Sequence, residues 1–410
     1  MSSGGPPGLQ RRPRCEGVGA VDLGGLSVAA HDEFTALDEF RAELLVHCYR
    51  MLGSAEEAED VVQETYLRAW RSYAGFEGRS SARTWLYRIA TNACLTAIER
   101  RGRRPLPSGL GGPSDDSVAP VPGPPEMPWL RPLPDALLAA EHLDPAAVTA
   151  SRAGVRLAMV AALQYLPARQ RAVLILRDVL NWPAAQVADL LDTTTTAVNS
   201  GLRRARAQMA RALPDEEEVA EPAEPDLRAL LDRFAAAFED GDVNALAALL
   251  REDVALEMPP LATWFSGRET VLGYVASNLG AMAGRMRLVP AAANGQPAFA
   301  AYLRDADGVY RAHAMIVLTL TGALITRIVI FLEPALFRLF GLDRELAPGE
   351  SGDCRWSTSL GPPKAAATEQ AGEDGHVNRE RSADHDRRGR PPEDRRDADP
   401  GVDRRLRHVP

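Results

Sequence analysis

On composition, three stretches of this chain are expected to lie outside any packed core, and their positions set how the rest can fold. Residues 105–151 are rich in Pro, Gly and Asp and hold few periodic apolar positions. Residues 214–225 carry the carboxylates of Asp215, Glu216, Glu217, Glu218, Glu221 and Glu224, with Pro222 and Pro225 among them. From Pro348 onward the chain is Arg, Asp, Pro and Gly with almost no large apolar side chain, so burial cannot offset the entropy of ordering it. The 410 residues therefore read as three foldable blocks, 34–104, 152–213 and 226–346. A flexible linker (105–151) and an acidic joint (214–225) separate them, between a disordered N-terminal extension (1–33) and a disordered tail (347–410). A fibre is excluded, and so is one large core.

The net charge of -9 would argue against a polyanionic partner if it were spread evenly. It is sorted along the chain instead. Residues 78–104 hold seven basic side chains against one acidic, and 152–213 hold nine against three. Residues 34–77 reverse the sign, with nine acidic and four basic. Cys15, Cys48, Cys94 and Cys354 lie tens of residues apart with no CxxC spacing, so neither a metal site nor a disulfide framework is expected. No signal peptide and no run approaching about 20 apolar residues is present, so a cytoplasmic protein with no membrane partner is expected. No cofactor is expected either.

The first block is helical. Leu37, Phe40, Leu44, Cys48 and Met51 recur at three- and four-residue steps, and Gly53 stops that helix. Ser54 with Glu57 then makes a capping box for a second helix, whose polar face displays Glu56, Asp60, Gln63, Glu64 and Arg68. After a Gly-containing loop, Ser80 or Ser81 caps a third. Trp85, Leu86, Ile89, Ala93 and Ala97 form its inner stripe, while Arg83, Tyr87, Arg88 and Asn92 face the other way. The spacing of Trp85 with Ile89 suits core packing.

In the second block Leu157, Val160, Leu163 and Leu166 share one helix face, and Pro167 and Pro183 each open a further helix. Asp192, a residue that tolerates the left-handed conformation, precedes four Thr residues that cap a last helix with Val198, Leu202, Ala205 and Met209 inside. A short helix, a tight turn and an Arg-faced amphipathic helix make a helix-turn-helix at about 184–203. At 100° per residue Thr196, Ser200, Arg203 and Arg204 lie opposite the inner stripe, with Asn199 at its edge. These donors and acceptors suit a major groove, with Arg206 and Arg211 within reach of phosphates. A solvated helix face is the plain alternative, and the turn signature with the local positive charge weighs against it.

AEEAEDVVQETYLRAWRSYAGFEG (55–78) and SARTWLYRIATNACLTAIERRGRR (81–104) resemble region 2 of a bacterial extracytoplasmic-function sigma factor. LPARQRAVLILRDVLNWPAAQVADLLDTTTTAVNSGLRRARAQM (166–209) is similar to region 4 of that family. The resemblance implies sigma-70 region 2 at 34–104 and region 4 at 152–213, with core RNA polymerase and promoter DNA, duplex and melted, as partners. Glu57, Asp60, Gln63 and Glu64 would dock on the β′ clamp, and region 4 on the β flap. Arg79, Ser80, Ser81, Arg83, Tyr87, Arg88 and Asn92 would meet the −10 element as it melts, since an unpaired strand needs a cationic track and a place to hold a base. Thr196, Asn199, Ser200, Arg203 and Arg204 would read the −35 element. Such a factor binds and reshapes DNA without catalytic residues of its own, so it is not an enzyme. Asn181 and Asp192 stand at turns where the family has Gly, and Gly201 interrupts the last helix.

The third block begins with helices, Leu227–Phe238 and Val243–Leu250, and continues with strands at 285–290, 298–303, 310–320 and 324–331, the last two joined at Thr321-Gly322. That order is α+β. With MPPLATWFSGRETVLGYV (258–275) and ANGQPAFAAYL (293–303) it resembles the NTF2-like (SnoaL-like) cone appended to some of these factors. The chain is thus expected to be multidomain, two all-α domains followed by an α+β cone. The cone implies a candidate ligand pocket lined by Glu257, Trp264, Tyr302 and His313, and an intramolecular contact that regulates the sigma domains in cis. The alternative is an NTF2-like isomerase or hydrolase tethered to a DNA-binding helical half, for which a lone His is weak support.

Overall fold

A computed structural model describes residues 34–76, 80–116, 120–138, 154–212, 224–279 and 282–346. All of them fall within one compact unit. The expected disordered extension and tail, most of the acidic joint and Arg79 lie outside these residues.

The first block is three helices, α1 (Arg41–Leu52), α2 (Ala55–Ser72) and α3 (Ala82–Arg101). Gly53 leaves α1 at φ 70°, and the Ser54 hydroxyl accepts from the Glu57 N–H, as that spacing predicts. Ser81, not Ser80, caps α3 through the Thr84 N–H. The second block adds α4 (Leu157–Gln164), α5 (Ala168–Leu174) with a π turn at Ile175–Val179, α6 (Ala184–Leu190) and α7 (Thr195–Ala212). Asn181 and Asp192 both adopt positive φ, 55° and 49°, so the turns keep their left-handed form without Gly.

In the third block α8 (Glu224–Asp240) and α9 (Val243–Ala247) precede a mixed sheet. Its strands are β1 (Leu250–Glu257), β2 (Trp264–Ser266), β3 (Met286–Ala293), β4 (Gln296–Arg304), β5 (Tyr310–Thr321) and β6 (Leu324–Phe331). Helix α10 (Arg268–Leu279) follows β2, and α11 (Leu336–Leu339) with a short β7 (Glu345–Leu346) closes the domain. The order is β2-β1-β6-β5-β4-β3, antiparallel except for β1 beside β6. Bulges at Ala301/Tyr302 and Thr319/Leu320 help curl it.

Both faces of this sheet are buried. Phe299, Ala301, Ala314 and Ile316 join Phe234 and Phe238 of α8 in the cone interior. Ala298, Ala300, Tyr302, Met315 and Val317 belong to a second core, continuous with the helical blocks.

The 105–151 stretch is the main departure from expectation. It is no free tether over its described part, because Leu106, Leu130, Leu133 and Leu138 are buried at the junction of all three blocks. Pro122 bridges to Leu261 and Pro134 to Ala293, while the Arg131 N–H donates to the Gly53 carbonyl. Its prolines lower the entropic cost of such ordering, which a composition reading takes only as a sign of looseness.

Candidate polymerase and nucleic-acid interface

On α2 the acidic residues divide into two groups. Asp60 and Gln63 are exposed beside Leu67, which is 51% exposed, and Glu64 holds Arg68 at 2.7 Å one turn on. Glu57 points elsewhere, pairing with Arg101 and with Arg104 (2.6 Å) at the end of α3. Glu56 pairs with Arg131 of the linker, whose other guanidinium nitrogen pairs with Glu333 of the third domain. Of the four residues expected to dock on polymerase, Asp60, Gln63 and Glu64 share an open face and Glu57 is committed within the chain.

The expected −10 residues sit on α3 and the loop before it, and the structure brings three of the seven, Arg83, Tyr87 and Arg88, against the second block. Tyr87 is fully buried, a correction to its expected outward position. Its ring lies 5.0 Å from His47 on one side and 5.0 Å from Trp182 on the other. Arg83 is held by Glu43 at 2.7 Å and stands 5.6 Å from the Trp182 ring. Arg88 donates to the Asp189 carboxylate at 2.8 Å, and Gln186 donates to the Thr84 hydroxyl at 2.9 Å. Ser80 and Asn92 remain exposed, and Ser81 is spent on its cap. Trp85, expected in the core, is half-buried and stacks on Phe76 at 4.7 Å, extending an aromatic cluster through Tyr73 and Phe34.

Burial governs the charge state here. Desolvation, aided by the charges of Arg50 and Arg83, pushes the His47 pKa down to about 3, so the imidazole is neutral and bonds Thr91 at 3.0 Å. Arg171, 1% exposed, donates to the carbonyls of Met51, Gln164 and Leu166 and to the Gln164 amide oxygen; desolvation lowers it to about 10.

The α7 face is open. Thr196, Asn199, Arg203 and Arg204 are exposed with Ser200 half-buried, while Arg206 is held by Asp178 at 2.7 Å. Within α7, Gly201 faces Val173 with room for a methyl group, the nearest atom being 3.9 Å from a Cβ placed there.

The four candidate pocket residues do not converge. Glu257 is buried on the sheet face toward the linker, held by Arg327 and by the Ser108 N–H at 2.9 Å. Trp264 donates to the Gly111 carbonyl, and the Tyr302 hydroxyl donates to the Asp343 carbonyl while its ring packs edge-on against Phe337. His313 is lowered by desolvation alone, with no carboxylate in hydrogen-bond reach among the described residues. Two of the four serve the linker junction because β1 and β2 turn that face outward.

Sequence reasoning missed Asn294 altogether. It sits at the β3–β4 turn with φ 60°, followed by Gly295 at 66°, an Asn-Gly hairpin between apolar strands that the spacing alone signals. Its buried side chain donates to the Tyr49 hydroxyl (2.7 Å) and the Val155 carbonyl (2.6 Å) and accepts from the Leu133 N–H (2.9 Å). One residue thus joins the first block, the linker and the start of the second block. Gln296 adds a bond from the Leu157 N–H at 2.9 Å.

Two helical modules bearing an open acidic helix and an Arg-faced helix-turn-helix, docked on a curled α+β domain, define a sigma-type DNA-binding factor with an accessory domain. Matches to known families agree: Sigma-70 region 2 over residues 37–104, Sigma-70 region 4 over 156–209 and a SnoaL-like domain over 231–328. The chain is 47% identical over 317 residues to the ECF RNA polymerase sigma factor SigG of Mycobacterium tuberculosis, spanning 77% of this chain and 85% of that one. It belongs to the extracytoplasmic-function (ECF) RNA polymerase sigma factors. A probable ECF sigma factor, SigI of the same species, is 27% identical over 56% of this chain and 71% of its own. The crystal structure of M. tuberculosis SigJ shares the fold, with a TM-score of 0.51 at 22% identity, covering 76% of this chain and all of that one. Among the described residues no helix is long and apolar enough to cross a membrane.

Proposed function

We propose that this sigma factor binds core RNA polymerase through Asp60, Gln63 and Glu64 on the clamp and through region 4 on the flap, and that its SnoaL-like domain holds the two promoter-reading regions closed. Arg203, Arg204, Thr196, Asn199 and Ser200 read the −35 duplex. Arg83, Tyr87, Arg88 and Asn92, with Ser80, Ser81 and Arg79, serve the −10 strand once region 4 has moved away. The tethered-enzyme alternative is not favoured, since three of its four expected residues are engaged in linker and packing contacts and His313 has no carboxylate beside it among the described residues.

The Asn294 side chain carries this reading, because its three buried bonds exist only while region 2, linker and region 4 are together. Asn294→Gly keeps the left-handed backbone and deletes those bonds. Run-off transcription with core polymerase is expected to rise in this variant relative to wild type at equal protein concentration. Unchanged output, with the variant folded, would refute cis control by this contact.

A further inference from the structure

The outer face of the cone ends in an arginine cluster that none of the preceding functions uses. Arg285 precedes β3, Arg287 lies two residues on, Arg304 ends β4, and Tyr310 opens β5 directly opposite Arg304. Cross-strand pairing with a period of two puts them side by side around an open concavity of about 770 Å³. Like charges at neighbouring positions of a sheet repel, so their convergence needs an account.

The way these guanidinium groups are held supplies one. Arg285 donates to the Arg304 carbonyl at 3.0 Å, and the Arg287 and Arg304 guanidinium carbons stand 5.8 and 5.9 Å from the Tyr310 ring centroid. The carbonyl orients Arg285 and the aromatic ring orients Arg304 without neutralising either of the two. The carboxylates nearest in the strands are taken: Arg311 binds Asp305 (2.6 Å), Asp307 (2.7 Å) and Glu345 (3.2 Å). Glu239 accepts from the Leu288 N–H at 2.6 Å and feels the charge of Arg287. Among the described residues no ion pair joins Arg285 or Arg304 to any carboxylate.

We propose that Arg285, Arg287 and Arg304 form a binding site for a small phosphorylated metabolite carrying two or more phosphate charges. Planar guanidinium forks match phosphate oxygens in pairs, and the volume suits a ligand of nucleotide size or smaller. DNA is the less suitable occupant. The opposite end of β3, at Ala293 and Asn294, is the end that meets the sigma regions, about 25 Å away along an eight-residue strand. The site is a concavity at the remote end, not a continuation of the α7 surface, and it stands whether or not the third domain controls transcription.

The test is calorimetric titration of the full chain with inorganic triphosphate at fixed ionic strength, with Arg304→Gln and Arg285→Gln beside an Arg233→Gln control on α8. One saturable equivalent is expected for wild type and for the control, weakened at least tenfold in either site variant. Duplex DNA affinity, measured in parallel, should not change in the site variants. Equal triphosphate affinity in all four proteins, or binding abolished by added chloride alone, overturns the proposal. So does a loss of duplex affinity that matches the loss for triphosphate, which would assign the cluster to DNA. Both substituted arginines are exposed, and circular dichroism identical to wild type is the condition for reading either variant.

Discussion

Replacing Trp182 by Ala is the sharpest probe of the closed arrangement. The indole is 4% exposed, 5.0 Å from the Tyr87 ring and 5.6 Å from the Arg83 guanidinium, so it is the main apolar link between regions 2 and 4 on this side. An aromatic pair contributes about 1 kcal/mol beyond burial and a cation–π contact about 0.5–1 kcal/mol. The adjacent Arg88–Asp189 pair has side chains 44% and 79% exposed, and such pairs contribute about 0–1 kcal/mol whether or not the indole is there. The inter-region share lost with the indole is then about 2 kcal/mol, which multiplies the open fraction roughly thirtyfold. An affinity that depends on the open fraction rises by the same factor until opening saturates. The assay is binding of a short single-stranded oligonucleotide to the full chain without polymerase, at one fixed salt concentration. Tighter binding, by about tenfold or more, is expected because opening exposes Tyr87 and frees Arg88 from Asp189, while Arg83 stays paired with Glu43. Because the indole also packs inside region 4, Gln186→Ala is the milder companion. It deletes one 2.9 Å bond to Thr84, about 1 kcal/mol, and should shift binding about fivefold the same way. Unchanged affinity in both variants, each folded by circular dichroism at the assay temperature, would refute the reasoning.

Other outcomes follow from burial and backbone geometry. His47 is neutral in the fold with a pKa near 3 against about 6.5 unfolded, so the unfolded chain binds the extra proton between these values. Stability is therefore full above pH 6.5 and falls by about 1.4 kcal/mol per pH unit below it, and a urea midpoint series should flatten in His47→Gln. Arg171→Met leaves carbonyls of Met51, Gln164 and Leu166 without their donor and should cost about 3–5 kcal/mol, read as a fall in the denaturant midpoint. Gly201→Ala adds a methyl group where the nearest neighbour is 3.9 Å away, and should raise stability by about 1 kcal/mol by thermal unfolding.

The helices and their ends were legible because their causes are local. Ser54, Ser81 and Asp192 act within a few residues, and the 3.6-residue period of Val198, Leu202, Ala205 and Met209 needs no partner to be read. The closure was not legible. Tyr87 looks outward on a helical projection, and His47 together with Trp182, ninety-five positions later, turns that face into a buried one. The cone pocket failed for a related reason. In Ala298-Phe299-Ala300-Ala301-Tyr302 both strand faces are apolar, so alternation cannot say which one is the interior, and the structure puts Phe299 inside and Tyr302 outside. Composition likewise took 105–151 for a tether, since a segment without periodicity can still place four leucines in a junction that other domains build.

The closure is uneven across the two surfaces proposed to face the promoter, and under that proposal the unevenness orders the steps of initiation. Thr196, Asn199, Arg203 and Arg204 face solvent in the same arrangement that buries Tyr87 and ties Arg88 to Asp189. If the proposed residue roles hold, the duplex-reading surface is available before the strand-capturing one, and the barrier set by Trp182 and Asn294 falls on melting rather than on the first encounter with the −35 element. Trp182→Ala should accordingly tighten single-strand binding while leaving affinity for a −35 duplex within about twofold, because it withdraws no phosphate contact and no base contact. Equal gains on single strand and duplex would show that region 4 is also withheld in the closed form, and would place the control at promoter encounter instead.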